Sequence, residues 1–224
     1  HDLEPMIRHA RRLDLEVNLV TNGTLANPGR ARSLARAGLR TAQVSVEAPD
    51  AESHDDLTAS PGSFDLTLAG IRNLQAAGIS VQTNTTVTAA NAHLAPRMPA
   101  FLKSLGVERF AMNLYIPAAR QRAAARVAGG APAAHGASAA IPADPLFFPY
   151  SRIGPVIDAV RAAARAEGLT FYWYSPTPHC LYNPIARGLG NKSCAAMDGL
   201  LSVSPSGDVL PCSSYPQPMG NLLR

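Results

Sequence analysis

Hydrophobic residues recur along the first half of the chain in two alternating patterns. Spacings of three and four residues, typical of a helix with one buried face, run through 3–13 and 64–74. Short apolar runs of the kind that form strands lie at 16–20, 41–46, 79–87 and 107–114. Gly38, Gly78 and Gly106 precede three of these runs. Glycine is expected where a helix ends, because the backbone there is left-handed. The pattern predicts helices and strands in alternation.

Strands that alternate with helices indicate βαβ units and a parallel sheet. Because the connections are short and right-handed, such a sheet is expected to be either a barrel or a doubly wound sheet. No G-x-G-x-x-G sequence follows a predicted strand, so a dinucleotide-binding fold is not supported. In either arrangement, ligands gather at the carboxyl ends of the strands. In this chain those ends carry polar residues, at 21–23, 45–47, 84–86 and 113–115.

The second half of the chain is less regular. Residues 118–145 are rich in Ala, Gly and Pro, which predicts either a solvated linker or a loop that borders a substrate entrance. A helix is predicted from near Gly154 to Gly168, with an aromatic strand at 169–174. A hairpin is predicted beyond it, with strands at 200–203 and 209–210 and a turn at 205–208.

Composition excludes several classes of function. The 224 residues suffice for one or two domains with a core, and the net charge is +4. The arginines are scattered along the predicted helices instead of clustered with aromatic residues, which argues against a nucleic-acid surface. No apolar stretch approaches the ~20 residues of a membrane span, and no signal peptide is visible. Five histidines show no metal-pair spacing and are interpreted as surface or loop residues, with a place at the active-site mouth as the alternative for His54; they are His9, His54, His93, His135 and His179.

The three cysteines are the strongest chemical signal. Cys180, Cys194 and Cys212 all lie in the last fifth of the chain. An odd, clustered set argues against a disulfide framework and suits a metal or iron–sulfur site. Cys194 and Cys212 flank the predicted hairpin, so we expect their thiols to lie near each other. A zinc site, a Cys194–Cys212 disulfide and three ordinary thiols are the alternatives.

The spacing of these cysteines resembles a known pattern. Twelve residues separate Cys194 from Gly207, and four separate Gly207 from Cys212. This resembles the SPASM and twitch domains, the auxiliary iron–sulfur domains of radical S-adenosylmethionine (SAM) enzymes. Four further phrases resemble strands three to six of the radical SAM barrel in the right order, and the likeness covers nearly the whole chain except 118–145. They are Val20-Thr21-Asn22-Gly23, Gln43-Val44-Ser45-Val46-Glu47, Asn84-Thr85-Thr86-Val87-Thr88 and the run at 110–116.

The resemblance implies an α/β fold, a partial (β/α)6 TIM-like barrel followed by the start of a small, loop-rich, cysteine-ligated domain with a β-hairpin. The implied division is a radical SAM core (strands 3 to 6) at 1–117, the linker or loop at 118–145, a closing helix and strand of the core at 146–175, and the start of a SPASM or twitch domain at 176–224.

The resemblance also implies a site. Asn22, Ser45, Glu47, Asn84 and Leu114 would contact SAM. Ser45 and Glu47 would face its ribose or methionyl part, since hydroxyl and carboxylate groups suit those partners. Leu114 would lie beside adenine. The alternative for the polar residues is that they satisfy loop backbone groups. Cys180, Cys194 and Cys212 would ligate an auxiliary 4Fe–4S cluster.

The implied function is that of a cytoplasmic radical SAM enzyme. A 4Fe–4S cluster and SAM would generate a 5′-deoxyadenosyl radical that abstracts hydrogen from a peptide or cofactor-precursor substrate. A flavodoxin or ferredoxin would donate the electron. The chain begins at His1 without the family's CxxxCxxC and Gly-Gly-Glu-Pro segments. We therefore expect a fragment that does not cleave SAM alone. A catalytically inactive barrel that acts as a binding protein and a zinc-stabilised, non-redox barrel enzyme are the alternatives.

Overall fold

The computed structural model describes residues 2–116, 144–191, 194–196, 199–213, 215 and 217–224. The helices are α1 (Leu3–Arg12), α2 (Pro28–Ala37), α3 (Ala51–Thr58), α4 (Ser63–Ala76), α5 (Met98–Ser104) and α6 (Tyr150–Ala166), with short 3-10 turns at Ala95–Arg97 and Ile185–Arg187. The strands are β1 (Asn18–Thr21), β2 (Thr41–Ser45), β3 (Ser80–Val87), β4 (Arg109–Leu114), β5 (Thr170–Trp173), β6 (Ser202–Val203), β7 (Asp208–Leu210) and β8 (Gly220–Asn221).

Strands β1 to β5 form one parallel sheet in chain order. Helices lie between each pair of consecutive strands, so every connection is a βα crossover. This confirms the predicted α/β fold with a parallel sheet. Within the described residues β1 and β5 are the two edges of that sheet, and its closure into a barrel stays a prediction.

Alternate residues of the sheet face the helices. Val44 and Val46 at β2 and Phe110 on β4 are fully buried in the core, together with Ile71 of α4 and Ile153 of α6. The residues between them point away from the helices and are partly exposed polar side chains; on β2, β3 and β4 they include Gln43, Ser45, Gln82, Asn84, Thr86 and Asn113. We call this second surface the polar face. One side of the sheet is thus a hydrophobic core and the other is available for chemistry.

Helix α4 packs unusually close to the turn after β1. A Cβ on Gly70 would overlap the carbonyl oxygen of Gly23 and approach its carbonyl carbon to 2.9 Å. The Thr67 hydroxyl donates a hydrogen bond of 2.9 Å to the carbonyl of Asn22. Only glycine at position 70 permits this approach of helix to turn.

Two features differ from the sequence prediction. Helix α3 lies in a stretch for which the sequence predicted no helix; the Asp50 carboxylate caps it by accepting the Ser53 N–H at 3.0 Å. Helix α6 begins at Tyr150 instead of near Gly154 and contains Pro155. Proline costs a helix one hydrogen bond, but Ile153 in the added turn is completely buried. Packing of Ile153 against the core therefore stabilises a helical turn that precedes Pro155.

The predicted hairpin is present near the end of the chain. Ser202 pairs with Leu210 and Val203 with Val209, and β8 adds a third antiparallel strand beside β7. Most of the segment interpreted as a linker or loop, 118–143, lies outside the described residues. No helix in the described part of the chain is both long and apolar enough to cross a bilayer.

Candidate functional site

The polar face brings together side chains from four strands. In the strand register, Ser45 of β2 lies beside Asn84 of β3, which lies beside Ala111 of β4 and then Tyr172 of β5. Tyr172 stacks against Tyr174 with 6.3 Å between ring centroids, and both rings are half-exposed. The predicted site residues Ser45 and Asn84 are thus immediate neighbours. The aromatic pair lies two strands away from Asn84.

Asn84 has an unused hydrogen-bond acceptor. Its Nδ2 donates to Asn113 Oδ1 at 2.7 Å, while its Oδ1 is buried and has no partner within the described residues. A buried acceptor without a donor costs about 1–3 kcal/mol, and native proteins rarely leave one unpaired. This atom is therefore suited to receive an N–H or O–H group from a ligand.

Glu47 presents a carboxyl group of altered acidity. Its Oε2 accepts the backbone N–H of Thr86 at 2.9 Å. Burial raises the pKa of Glu47 to about 7, against the opposing effect of the Thr86 N–H. The carboxyl can therefore gain or lose a proton near neutral pH, and a cationic ligand would favour its ionised form.

The backbone of Glu47 is held by two side chains that the sequence analysis did not assign to the site. Its N–H donates to His54 Nδ1 at 3.2 Å, and its carbonyl accepts from Asn91 Nδ2 at 2.8 Å. His54 is only 1% exposed and lies edge-on to Phe64 with 5.5 Å between ring centroids. The interpretation of His54 as a surface or loop residue was wrong, because α3 turns it inward against α4.

Two predicted residues do not join the group. Asn22 is exposed, and its Oδ1 accepts the N–H and hydroxyl of Thr24 at 3.2 and 3.0 Å, which closes a local turn. Leu114 is 1% exposed and packs in the core on the helix side of the sheet. Strand alternation explains this, since Asn113 faces the polar side. Of the five residues proposed to contact a cofactor, the structure brings together Ser45, Glu47 and Asn84.

The cysteines lie on loops beyond the sheet. Cys180 and Cys194 are exposed, Cys212 is partly buried, and all three are thiols. Nearby, the Tyr182 hydroxyl donates to Asp158 of α6 at 3.0 Å, which anchors the loop that carries Cys180. No group of three or more His, Cys, Asp or Glu side chains is arranged to hold a metal among the residues that the structure describes. The proximity of Cys194 and Cys212 stays a prediction.

Comparisons with known proteins agree with this geometry. A sequence profile of the radical SAM superfamily matches residues 1–90. The AdoMet-dependent heme synthase of Oleidesulfovibrio alaskensis is 34% identical over 119 residues, which cover 53% of this chain and 31% of that protein. The PqqA peptide cyclase of Streptomyces rochei is 28% identical over 218 residues, which cover 94% of this chain and 52% of that protein.

The fold is also shared with a solved structure. The crystal structure of Streptococcus suis SuiB bound to precursor peptide SuiA matches 98% of this chain and 48% of SuiB, with a TM-score of 0.68 and 13% identity. The chain therefore spans about a third to a half of the length of the proteins that it matches. Residues 1–90 are therefore similar in sequence to the radical SAM superfamily, the two curated relatives are enzymes by name, and the chain shares the fold of SuiB.

Proposed function

We propose that the protein containing this chain is a radical SAM enzyme that modifies a peptide. The observation that carries the peptide assignment is the extent of similarity to PqqA peptide cyclase, which runs through 94% of the chain. Similarity to the heme synthase has higher identity but covers 53% of the chain. A cofactor precursor is therefore the second candidate for the substrate.

The residues of the polar face fit SAM. Among the described residues no donor reaches the buried Asn84 Oδ1, and the ribose hydroxyls, the ammonium group and the adenine amino group of SAM are all donors. The Ser45 side chain lies beside Asn84 in the register. The Glu47 carboxyl is the anionic group that a cationic ligand would require. When bound together with a reduced 4Fe–4S cluster, SAM supplies a radical that removes hydrogen from the substrate.

In this proposal the chain's own residues orient the cofactor. Asn84 accepts a hydrogen bond from SAM while its Nδ2 remains paired with Asn113, which fixes the direction of the amide. Glu47, in its ionised form, pairs with the cation, and the Thr86 N–H holds one carboxyl oxygen in place. The core on the helix side of the sheet keeps these strands rigid, so the ligand meets a site that is already ordered.

The proposed substrate contact lies farther along the same face. Tyr172 on β5 and Tyr174, the residue directly after β5, offer stacked, half-exposed rings. Aromatic rings bind peptide segments with little loss of side-chain entropy. A peptide laid along β4 and β5 would place its reacting carbon toward the SAM side of the face. We further propose a flavodoxin or ferredoxin as the electron donor, and the cytoplasm as the location.

The cysteines of this chain do not match the ligand pattern of the SAM-cleaving cluster. The cysteines of this chain are Cys180, Cys194 and Cys212, and none has the CxxxCxxC spacing that would hold the SAM-cleaving cluster. The described geometry gathers no ligand set for an auxiliary cluster, so no step of the reaction is assigned to one. The three cysteines remain proposed ligands of such a cluster on the strength of their spacing.

The test uses the whole protein that contains this chain, purified without oxygen and reconstituted with iron and sulfide. It is incubated with SAM, dithionite and PqqA peptide as the probe, and mass spectrometry measures 5′-deoxyadenosine and the peptide mass. We expect SAM cleavage that depends on the cluster, with a change in the peptide mass. An iron-loaded protein that binds SAM without cleaving it would overturn the enzyme assignment in favour of a binding protein. SAM cleavage without a change in the peptide mass would show that PqqA peptide is not the substrate, and it would favour a cofactor precursor.

A matched pair of variants ties that result to the polar face. Asn84→Leu removes the buried acceptor, whereas Gln82→Leu changes a partly exposed amide two residues earlier on the same face. We expect Asn84→Leu to lower the affinity for SAM by about tenfold, the equivalent of one good hydrogen bond. Gln82→Leu should change it much less.

A further inference from the structure

Hydrogen bonding at the end of β2 continues past the last residue of the strand. The Val46 N–H donates to the Asn84 carbonyl at 3.0 Å, as a regular strand would. The Val46 carbonyl, however, accepts the Thr85 hydroxyl at 2.6 Å. One residue later, both the N–H and the carbonyl of Glu47 form hydrogen bonds with side chains, those of His54 and Asn91. The backbone at this point is therefore fixed by side chains from two other segments of the chain.

Asn91 connects the ends of β2 and β3. It is 2% exposed, and its Nδ2 donates both to the Glu47 carbonyl and to the Thr86 carbonyl at 2.8 and 2.9 Å. Its Oδ1 accepts the Thr88 N–H at 2.7 Å. Because the Thr86 N–H donates to the Glu47 carboxyl, the same turn holds the Glu47 backbone and its side chain.

His54 holds the opposite side of the Glu47 backbone. A backbone N–H can only donate, so Nδ1 of His54 must be the unprotonated nitrogen, and the ring is neutral with its proton on Nε2. Burial lowers the pKa of His54, although the neighbouring Asp55 opposes that effect. The edge-on contact with Phe64 fixes the ring plane. Protonation would turn Nδ1 into a donor facing another donor, and the bond would be lost.

We propose that neutral His54, together with Asn91, is a positioning residue that fixes Glu47 on the polar face for its contact with the cofactor. The inference rests on the proposed function, because SAM is the ligand that reports on it. Glu47 precedes Ala48 and Pro49, which leave the strand. Without the bond to His54 the Glu47 backbone loses one of its two side-chain hydrogen bonds, and its carboxyl is held less firmly at the Thr86 N–H.

Two substitutions separate the hydrogen bond from the bulk of the ring. His54→Asn keeps an acceptor, Oδ1, near the place of Nδ1, whereas His54→Leu keeps apolar volume without an acceptor. Both lose the ring contact with Phe64. In the whole protein, we expect His54→Leu to raise the KM and the equilibrium Kd for SAM by about tenfold, the effect of one hydrogen bond. The kcat should stay within about twofold, because binding and not chemistry is weakened.

His54→Asn should restore the Kd to within about threefold of the original protein. His93→Leu, at an exposed histidine, is the control and should leave the Kd unchanged. If His54→Leu does not fold, His54→Gln replaces it, since its amide oxygen lies near the Nε2 position and cannot reach the Glu47 N–H. Folding of each variant is checked by its thermal midpoint.

A double-mutant cycle supplies the sharpest readout. In a Glu47→Ala background, His54→Leu should weaken SAM binding no further, because the group that it positions is gone. Equal Kd values for folded His54→Leu and His54→Asn would overturn the proposal, and so would full additivity with Glu47→Ala. If the original protein binds no SAM at all, the proposed function itself fails, and that result is distinct from both.

Discussion

Replacing Glu47 with glutamine should stabilise the protein at alkaline pH much more than at acidic pH. Burial holds the pKa of Glu47 at about 7 in the folded protein, against an ordinary value of 4.5. Because the folded-state pKa is the higher one, ionisation opposes folding. The destabilisation is absent below pH 4.5, grows as the pH rises, and is complete above about pH 7. At ~1.4 kcal/mol per pKa unit, the full effect is about 3 kcal/mol.

Glutamine cannot ionise, and its Oε1 can still accept the Thr86 N–H that Glu47 now binds. The variant should therefore gain about 3 kcal/mol at about pH 8.5 and about 1 kcal/mol at about pH 5. Urea unfolding at both pH values measures the difference, and Glu108→Gln, at an exposed carboxyl, serves as the control. An equal gain at the two pH values would refute the reasoning, because it would show that the Glu47 carboxyl is not destabilised by burial.

Two further predictions concern packing and the cysteines. Gly70→Ala should lower stability by about 1–3 kcal/mol despite the better helix propensity of alanine, because its Cβ would overlap the carbonyl of Gly23. Gly29→Ala, where the nearest atom lies at 3.4 Å, should not lower it; equal thermal midpoints for the two variants would contradict the close approach. Cys194→Ser and Cys212→Ser should each reduce the iron bound by the reconstituted protein, as measured by a colorimetric iron assay. Unchanged iron in both variants would remove these cysteines from the ligand set.

Much of the fold was predictable because it is encoded locally. The glycine at position 38 has a φ of 106° and closes α2, as the sequence predicts. The apolar runs became the buried rows of β2, β3 and β4, since a strand covered by helices must place alternate side chains in the core. Helix α3 was missed because its eight residues carry little apolar periodicity. Its signal was the Asp50 cap, which lies three residues before the N–H that it binds.

The site was less predictable, because its contacts join residues that are far apart in the sequence. Asn91 donates a hydrogen bond to the carbonyl of Glu47, 44 positions earlier in the sequence. No local sequence pattern predicts such a bond. The burial of His54 depends on the packing of α3 against α4, which the sequence analysis did not include. The side of the sheet on which Leu114 lies could have been found. A strand that turns Asn113 toward the polar face must turn its neighbour toward the core.

The side-chain hydrogen bonds at the end of β2 also bear on motion. The amides of Glu47 and Thr86 donate to side chains, and Asn91 holds both of their carbonyls. To expose the Glu47 amide to water, His54 must leave its place in the core. Local fraying is therefore insufficient, and this amide should exchange its hydrogen as slowly as those in the middle of the sheet. The edge that we propose binds SAM would then open only when the core itself unfolds.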